Sequence, residues 1–120
     1  MRSSLIPPDL FDVVEILLDL PDLGLKAGDR GSIIEKYDDQ IFPSTYEIEF
    51  TNPDGETITL KRLSPQQFIV IWRNATQTWV SLSDRIAALI QVLPEDRQEQ
   101  VLGFTRSLLS TTPISRSSEP

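Results

Sequence analysis

Residues 46–63 read YEIEFTNPDGETITLKRL, and this stretch decides the fold of the chain. Tyr46, Ile48 and Phe50 alternate with polar residues, which is the period of a half-buried β-strand. The Asn-Pro-Asp-Gly sequence at 52–55 is typical of a tight turn, because Pro presets φ, Asp bonds its own backbone and Gly accepts a positive φ. The stretch therefore predicts a β-hairpin.

The second strand of this hairpin continues the alternation, so we expect Ile58 and Leu60 on its buried face. Joining the two buried faces fixes which residues lie opposite each other, and it also pairs opposite charges on the outer face. The predicted register is Phe50 with Ile58, Ile48 with Leu60 and Glu47 with Lys61.

Further apolar stretches flank the hairpin and are separated from it by Gly, Pro, Asn and Asp clusters. The five predicted strands are 11–18, 31–37, 46–51, 57–63 and 68–72. Even spacing of short strands favours a small closed or half-closed β-barrel. The predicted core is Val14, Ile16, Ile33, Ile48, Phe50, Ile58, Leu60, Val70 and Trp72. The first and last strands are apolar on both faces, so another part of the chain should cover them.

From Ser81 onward the apolar residues take a helical period. Ser81 and Asp84 have the spacing of a capping box, and Pro94 should end one helix and begin the next. The predicted fold is therefore mainly β with C-terminal helices, a small five-stranded barrel followed by a two-helix hairpin. The expected segments are a barrel at 1–73, a linker at 74–81, a helical hairpin at 82–109 and a disordered tail at 110–120.

Composition excludes several kinds of chemistry. The 120 residues contain no Cys and no His, so disulfides, thiolate chemistry and the commonest general base are absent. Two glutamates on one strand face, Glu47 and Glu49, are the only arrangement resembling an acid/base pair, and we interpret them as an ordinary charged face. We predict no catalytic residues, no cofactor and no metal site, and hence no enzyme activity.

The charge distribution argues against nucleic-acid binding by the barrel. Residues 1–73 contain thirteen Asp and Glu against seven Lys and Arg, a balance of −6 out of −7 for the whole chain. Phosphate binding needs clustered Lys and Arg, and Lys61-Arg62 is the only adjacent basic pair. The N-terminus reaches Pro7-Pro8 before a signal-peptide core could form, and no apolar run is long enough to span a membrane. The expected location is the cytoplasm.

Five motifs in residues 10–73 resemble the domain of unknown function 4926 family, a set of short bacterial and cyanobacterial proteins. They are FDVVE (11–15), LP (20–21), GLKAGDRG (24–31), YEIEF (46–50) and LSPQQFIV (63–70). This resemblance implies an SH3-like barrel, which agrees with the strand pattern. It implies no activity.

A second, shorter resemblance lies in residues 93–104, which read LPEDRQEQVLGF. This segment is similar to amphipathic helices of small antitoxin-like bacterial proteins, whose helices lie on a protein partner. Gly103 departs from that pattern, because a polar or acidic residue is more usual there. The resemblance implies a protein-binding role for the C-terminal helices.

Three functions stay open at this point: a protein-interaction or accessory module, a nucleic-acid-binding regulator using a barrel of the KOW type, and a small carboxylate-dependent enzyme. We favour the first, with a protein partner or a second copy of the chain bound through the helices and no membrane or nucleic-acid contact. The helical stripe carries more apolar surface than a two-helix hairpin can cover. The predicted interaction residues are Trp79, Leu82, Ile86, Leu89, Ile90, Leu93, Val101, Phe104 and Leu108.

Overall fold

A computed structural model describes residues 6–38 and 44–110. They form six β-strands and two α-helices. The strands are β1 (Val13–Ile16), β2 (Arg30–Tyr37), β3 (Thr45–Thr51), β4 (Thr57–Leu63), β5 (Phe68–Arg73) and β6 (Thr78–Trp79); the helices are α1 (Leu82–Gln91) and α2 (Glu95–Ser110). The chain divides into two compact units, residues 1–88 and 89–120. The predicted disordered tail, apart from Ser110 at the end of α2, lies outside the described residues.

All strands belong to one antiparallel sheet with the order β4-β3-β2-β1-β5-β6. The prediction of a mainly β fold with two C-terminal helices is confirmed, whereas the closed five-stranded barrel is wrong. Within the described residues, β4 pairs only with β3 and β6 pairs only with β5, so the sheet is open. The sixth strand, β6, falls in the predicted linker and pairs with the free edge of β5. In a closed barrel, another strand of the barrel would pair with that edge.

The predicted hairpin forms, but its register holds only beside the turn. Thr51 lies opposite Thr57, as the turn dictates, and a β-bulge follows between Phe50 and Thr51. The extra residue in β4 shifts every later pair by one position. The side chains of β4 beyond the bulge therefore face the opposite side of the sheet from the one predicted. The observed partners are Phe50 with Thr59, Ile48 with Lys61, and Glu47 with Arg62.

The observed core differs from the predicted one, in part because of the bulge. Ile58 and Leu60 were expected inside, but they are 65% and 46% exposed. Trp72 is only half-buried. The remaining predicted residues are buried: Val14, Ile16, Ile33, Ile48, Phe50 and Val70. Leu25, Tyr46, Leu63, Phe68, Ile69 and Ile71 are buried with them. Phe68 to Ile71 are buried in succession, as expected for a strand that is apolar on both faces.

Gly31 lets β2 lie against β3. A Cβ atom at this position would be 2.7 Å from Cγ2 of Ile48 and 2.8 Å from the backbone oxygen of Glu49. Such distances are far below van der Waals contact, and one of the two neighbours is backbone. A side chain here would therefore push β2 and β3 apart.

A buried carboxylate joins the N-terminal segment to the end of β5. Asp12 is 1% exposed, and its Oδ2 accepts hydrogen bonds from the backbone N–H of Asp9 (3.0 Å) and from Nη1 of Arg73 (3.2 Å). Its Oδ1 accepts the N–H of Asn74 at 2.9 Å. Arg73 also donates to the carbonyl oxygens of Ile6 (2.6 Å) and Pro7 (3.0 Å). This network fixes the residues that enter β1.

The bulge makes a testable prediction about β3 and β4. Phe50→Ala should lower the free energy of unfolding by about 3–5 kcal/mol, because it leaves a cavity in the core. Ile58→Ala should lower it by less than about 0.5 kcal/mol, because this side chain is exposed. Urea denaturation of both variants measures the difference. Equal losses would show that Ile58 lies in the core and that the bulge is absent.

The ion pair of Asp12 makes a second prediction. Arg73→Met should cost about 3–5 kcal/mol of unfolding free energy, because the Asp12 carboxylate stays buried without its cation. The matched control is Arg30→Met, which removes an ion pair with Glu15 (3.5 Å) whose arginine is 58% exposed and should cost less than about 1 kcal/mol. Similar denaturation midpoints for the two variants would contradict the structural importance of the buried pair.

Candidate functional site

The nine predicted interaction residues lie in β6, in the two helices and in the turn between the helices. Trp79 lies in β6, Leu93 lies between the helices, and the others lie in α1 and α2. Six are exposed: Trp79, Leu82, Ile86, Leu89, Phe104 and Leu108, with exposed fractions from 38% to 67%. Ile90, Leu93 and Val101 are partly buried. Trp79, Leu82 and Ile86 belong to the first unit and the other six to the second, so the predicted single stripe is divided between two units.

In the first unit, β6 leads directly into α1. Trp79 pairs with Trp72 across the β5–β6 ladder, and the N–H of Val80 donates to the carbonyl oxygen of Ile71 at 2.9 Å. The predicted cap of α1 is present on its serine side, because Oγ of Ser81 accepts the N–H of Asp84 at 3.2 Å. These bonds hold the start of α1 beside β5.

In the second unit, one side chain organises the turn between the helices. The last carbonyls of a helix lack partners within that helix. Nε2 of Gln98 donates to the carbonyl oxygens of Ile90 (3.0 Å) and Leu93 (3.1 Å). Gln98 lies in α2, so it ties the end of α1 to the second turn of α2. The amides of Arg97 and Gln98 donate to the carbonyl of Pro94, each at 3.0 Å, which begins α2.

This turn creates an open groove of about 410 Å³ in the second unit. The apolar part of its lining comes from Ile90, Val101 and Leu102. The polar part of its lining includes two carboxylates one helical turn apart, Glu95 and Glu99. A groove lined by both apolar and charged side chains suits the docking of an amphipathic helix.

The list of predicted interaction residues omits two leucines of α2. Leu102 is 55% exposed and lines the groove, and Leu109 is 75% exposed. They lie seven residues apart and beside the predicted stripe of Val101, Phe104 and Leu108. The signal in the sequence was their spacing, because residues seven apart return to the same side of a helix.

The outer face of β2, β3 and β4 is occupied by a polar network. The hydroxyl of Tyr37 donates to Oε1 of Glu47 at 3.0 Å, and this hydrogen bond raises the pKa of Tyr37. The guanidinium of Arg62 lies 3.8 Å from the centroid of the Tyr37 ring, and its Nε donates to Oγ1 of Thr45 at 2.8 Å. Glu49 hydrogen-bonds with the hydroxyl of Thr57. Glu47 and Glu49 therefore contact separate partners.

The edge strand β4 exposes two apolar side chains that the sequence placed inside, Ile58 and Leu60. On the opposite face of the same strand, Lys61 is half-buried and lies opposite Ile48. Inward-pointing charges and bulges are features by which edge strands resist pairing with other chains. Because β4 has both, we consider α2 the better candidate for an interaction surface.

Comparison with known proteins bears on the sheet. The sequence model of a family described as Domain of unknown function (DUF4926) matches residues 10–70. The chain belongs to this family. The match extends from the residues before β1 into β5, and both C-terminal helices lie beyond it. Searches of curated proteins and of solved structures found no match to the chain.

In residues 6–38 and 44–110 no helix has the length and apolar character needed to cross a bilayer. Over the same residues, no three or more acidic side chains are grouped so that they could hold a metal ion.

The role of Gln98 is testable. Gln98→Ala should reduce hydrogen-exchange protection of the amides at the start of α2 by roughly tenfold, because two partly buried carbonyls lose a donor. Gln100→Ala is the control, since Gln100 accepts only an exposed hydrogen bond from Arg97 (3.2 Å). Equal protection in the two variants would show that Gln98 does not hold the turn.

Proposed function

We propose that this chain is a non-enzymatic protein-interaction module that binds a protein through its C-terminal helices. The observation that carries the proposal is the exposure of those helices. All residues of α1 and α2 lie in the described part of the chain, and none of them is fully buried. A helix normally contributes an apolar side to a core, so helices without a buried residue point to a missing partner.

The lengths of the helices strengthen this argument. α1 has 10 residues and α2 has 16. Isolated helices of this size are marginally stable in water and depend on tertiary contacts. α2 also contains Gly103, which lowers helix stability by about 1 kcal/mol relative to Ala. Docking on a protein would supply the contacts that the helices lack.

The exposed side chains are of the kind that dominate protein interfaces. Phe104 is 66% exposed and Leu108 is 54% exposed on α2, and Leu82 is 65% exposed on α1. Large apolar anchors contribute most of the binding energy when a partner covers them. The similarity of residues 93–104 to antitoxin helices is consistent with such a role, as is the lack of His and Cys for catalysis.

The nucleic-acid alternative receives less support. The net charge of −7 opposes binding to a polyanion. Of the basic residues that the sequence singled out, Arg62 is engaged by Tyr37 and Thr45.

A capture experiment tests the proposed function. Affinity-tagged full-length chain, Phe104→Glu and the control Thr76→Glu would be exposed to native lysate with and without nuclease. Thr76 lies in the exposed turn after β5. We expect wild type and control to retain the same protein, and Phe104→Glu to bind it at least about 30-fold more weakly, because an anchor side chain is lost.

Two results would contradict the proposal. One is retention of identical proteins by all three chains, which would show that α2 is not the contact surface. The other is retention that disappears on nuclease treatment, which would favour the nucleic-acid alternative. Equal melting temperatures of the three chains would exclude unfolding as the cause of any loss.

A further inference from the structure

One side of α2 has the pattern of a helix–helix seam. Glu95, Gln98, Leu102, Thr105 and Leu109 recur at alternating intervals of three and four residues, the spacing of residues that face a partner helix. Gln98, Leu102 and Thr105 also line the groove of the second unit. The seam therefore overlaps the groove, and its five residues are called the α2 seam below.

The flanks of the α2 seam differ in character. Glu99 and Arg106 occupy equivalent positions on one flank, seven residues apart, and both are exposed. Val101 and Leu108 occupy equivalent positions on the other flank and are apolar. Glu99 and Arg106 are separated by two turns, about 10 Å along the helix, so they cannot pair within one helix. None of the ion pairs in the described residues involves either of them.

A second α2 helix that runs in the opposite direction is complementary to both flanks, in charge on one and in apolar character on the other. In an antiparallel pair, equivalent flank positions of the two helices face each other, so Glu99 of each copy meets Arg106 of the other. On the other flank, Val101 of each copy meets Leu108 of the other. A parallel pair would instead place these charges against the apolar flank. Antiparallel helix dipoles are also electrostatically preferred.

We propose that α2 pairs antiparallel with α2 of a second copy of this chain, with Leu102 near the two-fold axis and the Glu99–Arg106 pairs on either side of it. The occupant of the groove is then a self-complementary helix. Two-fold interfaces are formed by the same patch on both subunits, so one helix supplies every contact. Leu109 of the second copy lies over the groove beside Gln98, where it covers apolar surface that is open in the single chain.

This inference rests on the proposed function and adds a second copy of the chain to the proteins that the C-terminal helices bind. Phe104 projects from a different side of α2, since it lies two residues from Leu102. A further protein can therefore bind through Phe104 whether or not two copies pair. The proposed function can therefore hold even if the two copies do not pair.

A charge exchange tests the pairing. Sedimentation equilibrium of the full chain from about 5 to 500 µM should show a weak monomer–dimer equilibrium, as expected for a small interface. Glu99→Arg alone, or Arg106→Glu alone, should raise the dissociation constant by about tenfold, because each change turns two attractive pairs into repulsive ones. The double variant Glu99→Arg/Arg106→Glu should return it to within about threefold of wild type, because the same pairs re-form with reversed signs.

Two control variants complete the design. Arg97→Glu makes the same kind of change on α2 but away from the seam, where Arg97 donates to Gln100 (3.2 Å), and should leave the dissociation constant unchanged. Leu102→Glu should abolish the dimer, because it places two carboxylates beside the two-fold axis. Circular dichroism of each variant at dimer-free concentration checks that helix content is retained.

The results separate the two proposals. A wild-type chain that stays monomeric over the whole concentration range overturns the pairing. A dimer whose dissociation constant does not change in the single variants at Glu99 and Arg106 also overturns it, as does a dissociation constant that the double variant does not restore. If the chain is monomeric but still retains a protein that Phe104→Glu loses, the proposed function stands and only this inference fails. Restoration by the double variant supports the pairing, since no single-chain effect reverses in that way.

Discussion

The buried carboxylate of Asp12 is the interaction on which the rest of the sheet depends. β1 has only four residues, yet it joins the β4-β3-β2 half of the sheet to the β5-β6 half. Asp12 sets the position of this strand by accepting bonds from Asp9 on one side and from Arg73 and Asn74 on the other. The adjacent Phe11 has a φ of 66°, a conformation that costs a side-chain-bearing residue about 1–2 kcal/mol. The hydrogen bonds to Asp12 offset this cost, so the strained backbone at Phe11 persists and the central strand β1 keeps a fixed position.

The sequence predicted five of the six strands because alternation and turn residues are local signals. It failed at the register of β4, where a bulge intervened. In a strand, side chains two residues apart share a face, so Ile58 and Leu60 agree with each other while Leu63 falls on the opposite face. Alternation alone therefore did not decide which of these two faces of β4 is buried. The structure buries Leu63 at 1% exposure and leaves the other two outside, because Leu63 lies opposite the buried Tyr46 and the edge strand has solvent on its other face.

Closure of the sheet was not predictable from strand spacing. Whether the last strand completes a barrel depends on what bonds to its free edge, and that is a tertiary property. Here the turn after Arg73 returns two residues, Thr78 and Trp79, to β5. Both residues favour strands, but a segment of two residues is too short to show a strand period. The helical period of the apolar side chains after Ser81 was predictable, since period and apolar content are both local. Their division between two units was not, because the boundary lies inside α1.

Net charge and local charge act on α2 in opposite directions. Two copies of a chain with a charge of −7 repel each other, but at physiological ionic strength charges more than about 8 Å apart are largely screened. Contacts at the α2 seam are shorter than this, so they are less affected than the repulsion between whole chains. Glu95 and Asp96 lie in the first turn of α2, where they complement the helix dipole, whereas Glu99 and Arg106 lie outside the terminal turns. Glu99 and Arg106 therefore do not stabilise the single helix through its dipole, and their order along α2 makes an antiparallel copy of the helix the complementary surface.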